Sequence, residues 1–251
     1  MERREGVLNG GKVCWHEAGE GFPLLLVHGA GATGRVWHRQ IGPFSASFRV
    51  ITPDLPGFGG TDSGSVRAVK DYAGFLSDFM LMLGIPRAHM AGSSMGGWAA
   101  CWFAVLHPEM VGRLVLISPP GIRRADNPPM GLDGVIKEIE AGYARALSAV
   151  NTSVSNPSAE LAKAVATMRM LEAEGGLEFN FEGHLREIKA KTLVIWGTED
   201  RLVPVSYADI FKAGIPDSEL KLVKGAGHMS FVEKPATVNE MILRFLDGRE
   251  D

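Results

Sequence analysis

The chain has 251 residues, of which 45% are hydrophobic and 22% are charged, as expected of a globular protein with a sizeable core. Its formal net charge of -3 at pH 7 provides no strong positive field, which argues against binding to nucleic acid or to an anionic membrane surface. Because no signal-like apolar run opens the chain and no stretch of about 18 apolar residues follows, a cytoplasmic protein is predicted. Cys14 and Cys101 are predicted to be reduced thiols, and no metal site is expected.

Short apolar runs alternate with longer segments of helical periodicity, which predicts repeated β-α-β units and an α/β fold. A leading hairpin is predicted over residues 7–17, with its turn at Asn9-Gly10-Gly11. Buried or half-buried strands are predicted at residues 22–27, 48–52, 88–91, 114–117, 192–196 and 219–223. Helices are predicted at residues 66–83, 96–107, 206–213 and 235–245.

The alternation breaks between residues 119 and 187, where strand signals disappear and two apolar stripes with helical spacing take their place. The stripes consist of Leu161, Val165, Met168 and Leu171, and of Val135, Ile139 and Tyr143. An insertion of this length is too long for a plain connection, so it is predicted to be a small helical lid over the carboxyl edge of the sheet. The predicted division is a core of residues 1–118 and 188–251 and a lid of residues 119–187.

The segment Gly92-Ser93-Ser94-Met95-Gly96 matches the pattern G-x-S-x-G and lies between a predicted strand and a predicted helix. Glycines at both ends let neighbouring backbone approach, and Ser94 would stand at a helix N-terminus, where backbone amides favour negative charge. Ser94 is therefore predicted to be a nucleophile. The alternative is a glycine-rich turn between strand and helix that carries no chemistry.

A serine hydroxyl is a weak nucleophile and needs an adjacent base. His228 follows the predicted strand 219–223, so it can reach the same sheet edge as Ser94 and is the predicted base. His184, in the predicted lid, is an alternative residue for contact with substrate, although a solvated position is favoured for it. The base needs a carboxylate that fixes its tautomer, and both Asp200 and Glu199 follow the predicted strand 192–196.

A negatively charged oxygen that develops during the reaction needs a pair of hydrogen-bond donors. The predicted donors are the backbone amide of Met95, directly after the nucleophile, and that of Ala30, in the flexible loop 28–32. In this arrangement His28 holds the loop and does not titrate. Three further side chains are predicted to contact a small or medium, largely apolar substrate. These are Trp37, Phe58 and Met229, each of which also fits a position in the core.

Five motifs, in the same order along the chain, resemble those of the α/β-hydrolase superfamily. They are His28-Gly29, Asp54-Leu55-Pro56-Gly57-Phe58-Gly59, the serine motif at Ser94, Trp196-Gly197-Thr198-Glu199-Asp200, and Gly227-His228. The resemblance covers nearly the whole chain and implies an eight-stranded, mostly parallel sheet with one antiparallel strand and a lid after the sixth strand. It also implies that Asp54 structures its loop, and it favours Asp200 over Glu199 as the third member of a Ser94–Asp200–His228 triad.

Within the superfamily the chain is similar to small carboxylesterases and to meta-cleavage hydrolases, which cleave carbon–carbon bonds. Ser94 stands where haloalkane dehalogenases and epoxide hydrolases use aspartate, and the loop 28–32 lacks the proline of many meta-cleavage hydrolases. The first hypothesis is therefore cleavage of a carboxylic ester through an acyl-enzyme.

Alternatives on the same triad are carbon–carbon hydrolysis, lactone opening, thioester cleavage and perhydrolysis. Alternatives of a different class are a ligand receptor with the hydrolase fold and a catalytically silent scaffold. No phosphate-binding glycine loop is evident, so no nucleotide or other cofactor is predicted. The predicted partner is a small ester substrate, and the protein is expected to be a monomer or a homodimer.

Overall fold

The computed structural model describes residues 1–149 and 157–248, including their side chains except those of residues 142–149 and 157. Within these ranges eight strands form one sheet in the order β1-β2-β4-β3-β5-β6-β7-β8. The strands are β1 (Glu2–Leu8), β2 (Gly11–Ala18), β3 (Phe22–Val27), β4 (Phe48–Pro53), β5 (Ala88–Ser93), β6 (Val111–Ile117), β7 (Lys191–Gly197) and β8 (Ser218–Val223). β2 runs antiparallel to both β1 and β4, whereas the pairs from β4 through β8 are parallel. The prediction of a mostly parallel, eight-stranded sheet with one antiparallel strand is confirmed.

Helices cover both faces of the sheet, which explains why its central strands are apolar on both sides. The helices are α1 (His38–Ser45), α2 (Asp71–Met82), α3 (Met95–Leu106), α4 (Leu132–Ala149), α5 (Pro157–Ala173), α6 (Tyr207–Gly214), α7 (Ser230–Glu233) and α8 (Pro235–Leu246). In β3, Leu25 packs into a core shared with α2, α3 and α6, whereas its neighbour Leu24 packs into a second core shared with α1 and α8. This alternation follows from the two-residue period of a strand.

The hairpin turn lies where the sequence predicts it, because Asn9 and Gly10 both adopt left-handed backbone angles, with φ of 51° and 80°. The helix predicted over residues 66–83 begins later, at Asp71. The reason is local: the Asp71 carboxylate accepts hydrogen bonds from the amides of Arg67 and Ala68, at 2.8 and 2.9 Å, and closes a turn there. Helix α1, which contains Pro43, was not predicted.

Helices α4 and α5 lie in the long connection between β6 and β7, where the sequence predicts a helical lid. In α4, Ile139 is buried, whereas Tyr143 belongs to the side chains outside the described set. In α5, Met168 and Leu171 are buried against the sheet core. Whether this insertion behaves as a separate unit stays a prediction.

Polar contacts also tie α5 to the loop that follows β4. The hydroxyl of Thr167 donates to the carbonyl of Gly57 at 2.9 Å, and Lys163 Nζ donates to the carbonyl of Gly59 at 3.2 Å. Near the start of the same helix, Glu160 pairs with Arg35 at 3.3 Å. The insertion is therefore joined to the core by hydrogen bonds as well as by apolar packing.

None of the helices in the described ranges has both the length and the apolar character needed to cross a membrane.

Candidate active site

Ser94 occupies a sharp turn between β5 and α3, with φ of 53° and ψ of -128°. These angles are unfavourable for a residue with a side chain, and such strain is found most often at functional sites. The turn is held on both sides, because the Ser94 amide donates to the carbonyl of Ile117 at 2.9 Å and the Trp98 amide donates to the carbonyl of Ser94 at 3.0 Å. The elbow geometry predicted from the glycine pattern is therefore present.

The glycines of the motif are required by close backbone packing. A Cβ atom added at Gly92 would lie 2.4 Å from the carbonyl oxygen of Gly96. A Cβ atom added at Gly96 would lie 2.3 Å from the carbonyl oxygen of His28, in the loop that follows β3. The two glycines of the pattern G-x-S-x-G are therefore needed for α3 to begin in contact with the loop 28–32.

His228 and Asp200 meet at the same edge of the sheet, because they follow the parallel strands β8 and β7. His228 Nδ1 lies 2.9 Å from Asp200 Oδ2, and the two side chains are 8% and 0% exposed. The other carboxylate oxygen of Asp200 accepts hydrogen bonds from the amides of Leu202 and Val203, at 2.9 and 3.0 Å. Glu199, the rival carboxylate, is exposed. The structure therefore pairs His228 with Asp200.

This pairing assigns different roles to the two nitrogens of the imidazole ring. With Asp200 ionised, His228 Nδ1 carries the ring proton and donates a hydrogen bond to the carboxylate. His228 Nε2 is buried and has no hydrogen-bond partner among the described residues. In this tautomer Nε2 is an acceptor, as a general base toward a serine hydroxyl must be.

The ionised form of Asp200 is the favoured one. Burial would raise the pKa of the Asp200 carboxyl group, but the hydrogen bond from His228, its positive charge when protonated, and the amides of Val203 and Leu202 together outweigh this effect. The pKa of Asp200 therefore lies below its ordinary value. The carboxylate stays charged over the pH range in which a histidine titrates, and can stabilise an imidazolium.

Ser94 and His228 line one cavity of about 270 Å³. Met95 and Ala30, the predicted oxyanion donors, line the same cavity. Met95 is the first residue of α3, so its amide is one of the helix N–H groups that have no acceptor within the helix. The structure thus brings all five predicted catalytic and oxyanion residues to one place, where they could support acyl transfer.

Loop 28–32 is fixed by buried polar contacts. The Leu55 amide donates to His28 Nε2 at 2.9 Å, so the ring proton is on Nδ1, which lies 2.8 Å from the carbonyl oxygen of Gly29. Burial lowers the pKa of His28, which keeps the ring neutral. Asp54 accepts hydrogen bonds from the amides of Gly34 and Gly60, at 2.8 and 2.9 Å. Both residues therefore have the contacts expected of groups that structure their loops.

The three predicted substrate contacts are not among the residues that line this cavity. Trp37 is fully buried and stacks on Phe231 with ring centroids 4.3 Å apart, and Phe58 packs edge-to-face against His28. Met229 is half-buried and packs against the same core as Trp37. The structure thus places Trp37 and Phe58 in the core and none of the three in the lining of this cavity, and their contact with substrate stays a prediction.

Side chains from the connection between β6 and β7 line the cavity instead. They include Arg123, Met130, Val135, Met168, Glu172 and Phe179. The helical stripes contained two of them, Val135 and Met168, whereas Arg123 lies in an irregular segment with no periodic signal. His184 is absent from the lining and pairs with Glu187 at 2.8 Å.

Replacing Gly29 with alanine is expected to lower kcat by on the order of 10- to 100-fold, since small displacements of a reacting group have effects of this size. The added Cβ atom would lie 2.9 Å from Ser94 Cβ and 3.1 Å from the carbonyl oxygen of Ser93, so the nucleophile would have to move. Steady-state kinetics beside a thermal unfolding curve checks this. Gly42→Ala is the control, because no atom outside its two chain neighbours and the nearby backbone of its own helix lies within 4 Å of its added Cβ. Unchanged kcat in Gly29→Ala would contradict the tight approach of the two segments.

The chain matches the model of the alpha/beta hydrolase family over residues 24–241. With the fold and the arrangement described above, this match shows that the protein belongs to the α/β hydrolase family, and it is a hydrolase of that fold.

The chain is also similar to individual hydrolases with more specific names. The chain is 33% identical to the 2-hydroxy-6-oxo-6-phenylhexa-2,4-dienoate hydrolase of Comamonas testosteroni, across 94% of this chain and 92% of that protein. It is 28% identical to a serine hydrolase involved in carbazole degradation, with a TM-score of 0.79 over 99% of this chain and 100% of that one. It is 26% identical to a bacterial membrane phospholipase A, with a TM-score of 0.80 over 99% of this chain and 86% of that one.

Proposed function

We propose that this protein hydrolyses the carbon–carbon bond next to the ketone of a small 2-hydroxy-6-oxo-dienoate, with Ser94, His228 and Asp200 as its triad. The observation that carries this proposal is the 33% identity, over almost the full length of both chains, to a hydrolase named for such a substrate. The shared cavity of Ser94 and His228 supports it, because an attack on a carbonyl carbon needs both groups together.

In the proposed mechanism His228 Nε2 accepts the proton of the Ser94 hydroxyl as its oxygen attacks the ketone carbon. The amides of Met95 and Ala30 hydrogen-bond the oxyanion that forms. Asp200 keeps the imidazole in the tautomer required for this transfer and stabilises the imidazolium. Asp200 and His228 are already hydrogen-bonded to each other, so the base is oriented before substrate binds.

A carbon leaving group departs only when its electron pair is delocalised, unlike the alkoxide of an ester. In the keto tautomer of the dienoate, the pair passes through the carbon–carbon double bond into the 2-oxo carbonyl. Ketonisation has already moved the proton of the 2-hydroxyl group to the carbon beside the 6-ketone, so cleavage leaves a dienolate, whose oxygen takes the proton from His228. Water then hydrolyses the acyl-enzyme with the same base. In total the hydroxyl group of water goes to the acyl carbon and one hydrogen is added to the departing dienol fragment.

Ester cleavage, the first hypothesis from the sequence, is the second candidate. The structural likeness to a membrane phospholipase A at 26% identity favours it, because a phospholipase A hydrolyses a carboxylic ester. The same triad and oxyanion donors serve both reactions, so the active-site geometry does not discriminate between them. The difference lies in how the leaving group is stabilised.

The two candidates are separated by measuring kcat/KM for 2-hydroxy-6-oxo-6-phenylhexa-2,4-dienoate and for p-nitrophenyl esters of two, four and eight acyl carbons. We expect the dienoate to exceed the best ester by at least about 100-fold, since kcat/KM reports differential stabilisation of the transition state. Ser94→Ala measured in parallel removes any contribution from a contaminating hydrolase. Turnover of the esters with no consumption of the dienoate would reject carbon–carbon cleavage and leave the ester hypothesis.

A further inference from the structure

Three of the described residues that line the cavity have ionisable side chains, namely Arg123, Glu172 and His228. His228 is bound to Asp200, as described above, and Glu172 pairs with Arg169 at 3.5 Å. Arg123 is different, because its guanidinium makes no ion pair or hydrogen bond with any residue in the described ranges. Its contact is with an aromatic ring, since the guanidinium carbon lies 4.9 Å from the centroid of Phe179. The cavity therefore contains one positive charge that no protein group neutralises within the described part of the chain.

The position of Arg123 is fixed by its two neighbours. Ile122 forms an isolated antiparallel bridge with Asn180, and the Arg124 amide donates to the hydroxyl of Tyr207 at 2.8 Å. The segment before it is also tied, because the amide of Phe181 donates to the carbonyl of Gly121 at 2.9 Å. The backbone at position 123 thus has little freedom, although its side chain is exposed to solvent.

Aromatic side chains connect Arg123 to the nucleophile Ser94. Phe179 packs against Trp98, with ring centroids 5.1 Å apart. Trp98 lies in the first turn of α3 and its amide donates to the carbonyl of Ser94 at 3.0 Å. Trp98 and Phe179 both line the cavity, so they form a continuous aromatic wall from the elbow to the guanidinium. A substrate that lies along this wall would have its reacting carbonyl at one end and Arg123 at the other.

The chemistry of this arrangement selects the ligand. A guanidinium is always charged and presents a planar fork of donors that matches a carboxylate, and the aromatic face beneath it leaves that fork free. Apolar side chains such as Met130, Val135 and Leu177 line the space between, which suits an uncharged carbon skeleton. We propose that Arg123 binds a carboxylate of the substrate and makes the protein selective for acyl compounds that carry an anionic group distant from the scissile bond. This inference rests on the proposed role of Ser94, but applies whether an ester or a carbon–carbon bond is cleaved.

The test compares two p-nitrophenyl esters of nearly equal size, the anionic monoester of glutaric acid and its neutral methyl ester analogue. We expect the wild-type protein to prefer the anionic ester. Arg123→Gln should raise KM for that ester by about 10- to 100-fold, as a lost hydrogen bond to a charged group does, with kcat much less affected. KM of Arg123→Gln for the neutral ester should stay within about twofold of the wild-type value. For the anionic ester, KM of Arg123→Lys should lie between those of wild type and Arg123→Gln, because lysine keeps the charge but lacks the planar fork of donors.

Arg124→Gln is the matched control, because Arg124 is the adjacent arginine and its side chain is already paired with Glu182 at 2.6 Å. We expect KM and kcat of this variant for both esters to equal those of the wild type. The inference is overturned if Arg123→Gln changes KM equally for the two esters, or if it changes KM for neither.

Binding without turnover provides the second measurement. Calorimetric titration of monomethyl glutarate into Ser94→Ala should give a Kd about 10- to 100-fold lower than the same titration into Ser94→Ala/Arg123→Gln. Equal Kd values in the two proteins overturn the inference even if hydrolysis by wild type is fast. Conversely, a difference in Kd supports Arg123 even if the protein fails to cleave the dienoate, so the two proposals fail separately.

Discussion

The Ser94→Ala variant is expected to lose hydrolysis almost completely, with kcat lower by on the order of 10⁶-fold, the scale seen when a serine nucleophile is removed. The alanine cannot attack the carbonyl, whereas the oxyanion donors and the cavity remain. The free energy of unfolding should change by less than about 0.5 kcal/mol, because the Ser94 hydroxyl makes no hydrogen bond with the described residues and the Cβ atom is retained. Steady-state kinetics and chemical denaturation of both proteins measure these two quantities.

A second substitution at the same position tests the strain of the elbow. Ser94 has a positive φ of 53° that glycine adopts readily, so Ser94→Gly should be inactive and more stable than Ser94→Ala by on the order of 1 kcal/mol. Labelling of the wild type by a fluorophosphonate, followed by mass spectrometry, should locate the adduct on Ser94. Turnover by Ser94→Ala comparable to that of wild type, or an adduct on another residue, would reject the assignment of the nucleophile.

Asp200→Asn is expected to lower kcat by on the order of 10⁴-fold, and the hydrogen bonds of Asp200 explain why. Its Oδ1 accepts from the amides of Leu202 and Val203, so the oxygen of an asparagine would remain there and its NH₂ group would face His228. His228 Nδ1 would then have to accept a hydrogen bond from this NH₂ group, so the ring proton would lie on Nε2, which could not act as a base. Presteady-state and steady-state kinetics on the same substrate measure the loss.

Glu199→Gln is the matched control for this substitution. The side chain of Glu199 is exposed, and the structure pairs His228 with the neighbouring carboxylate. We expect kcat of Glu199→Gln to stay within about twofold of wild type. If Glu199→Gln were the inactive variant and Asp200→Asn retained activity, the carboxylate of the triad would be misassigned.

Most of the sheet could be predicted from the sequence, because a buried parallel strand is a short apolar run and has few other interpretations. The relative positions of Ser94, Asp200 and His228 follow from the same rule, since residues that come after parallel strands meet at one edge. Ser94 is also the one serine of the sequence with a glycine two residues before it and another two residues after it, which is a local signal for a nucleophile. The local motif and the topology of the sheet therefore both predict the position of Ser94.

Other features depend on contacts that a one-dimensional pattern does not encode. Trp37 was assigned to the substrate, but its orientation is set by stacking on Phe231, which comes from the far end of the chain. The start of α2 was placed too early, because Asp71 closes a turn through its side chain where apolar periodicity alone continues the helix. The sequence does not distinguish the adjacent arginines 123 and 124. The fold does, because Arg124 pairs with Glu182 whereas Arg123 lines the cavity.

The contacts of α5 with the loop after β4 affect how substrate and product exchange with solvent. To lift this helix, a molecule would have to break the bonds of Thr167 to Gly57, Lys163 to Gly59 and Glu160 to Arg35 together, at a cost of on the order of 2–3 kcal/mol before any apolar area is exposed. A raised α5 would then be populated in at most a few per cent of molecules, by about the Boltzmann factor of that energy. Exchange is therefore expected without displacement of α5, on the side of the cavity where the side chain of Arg123 is exposed to solvent.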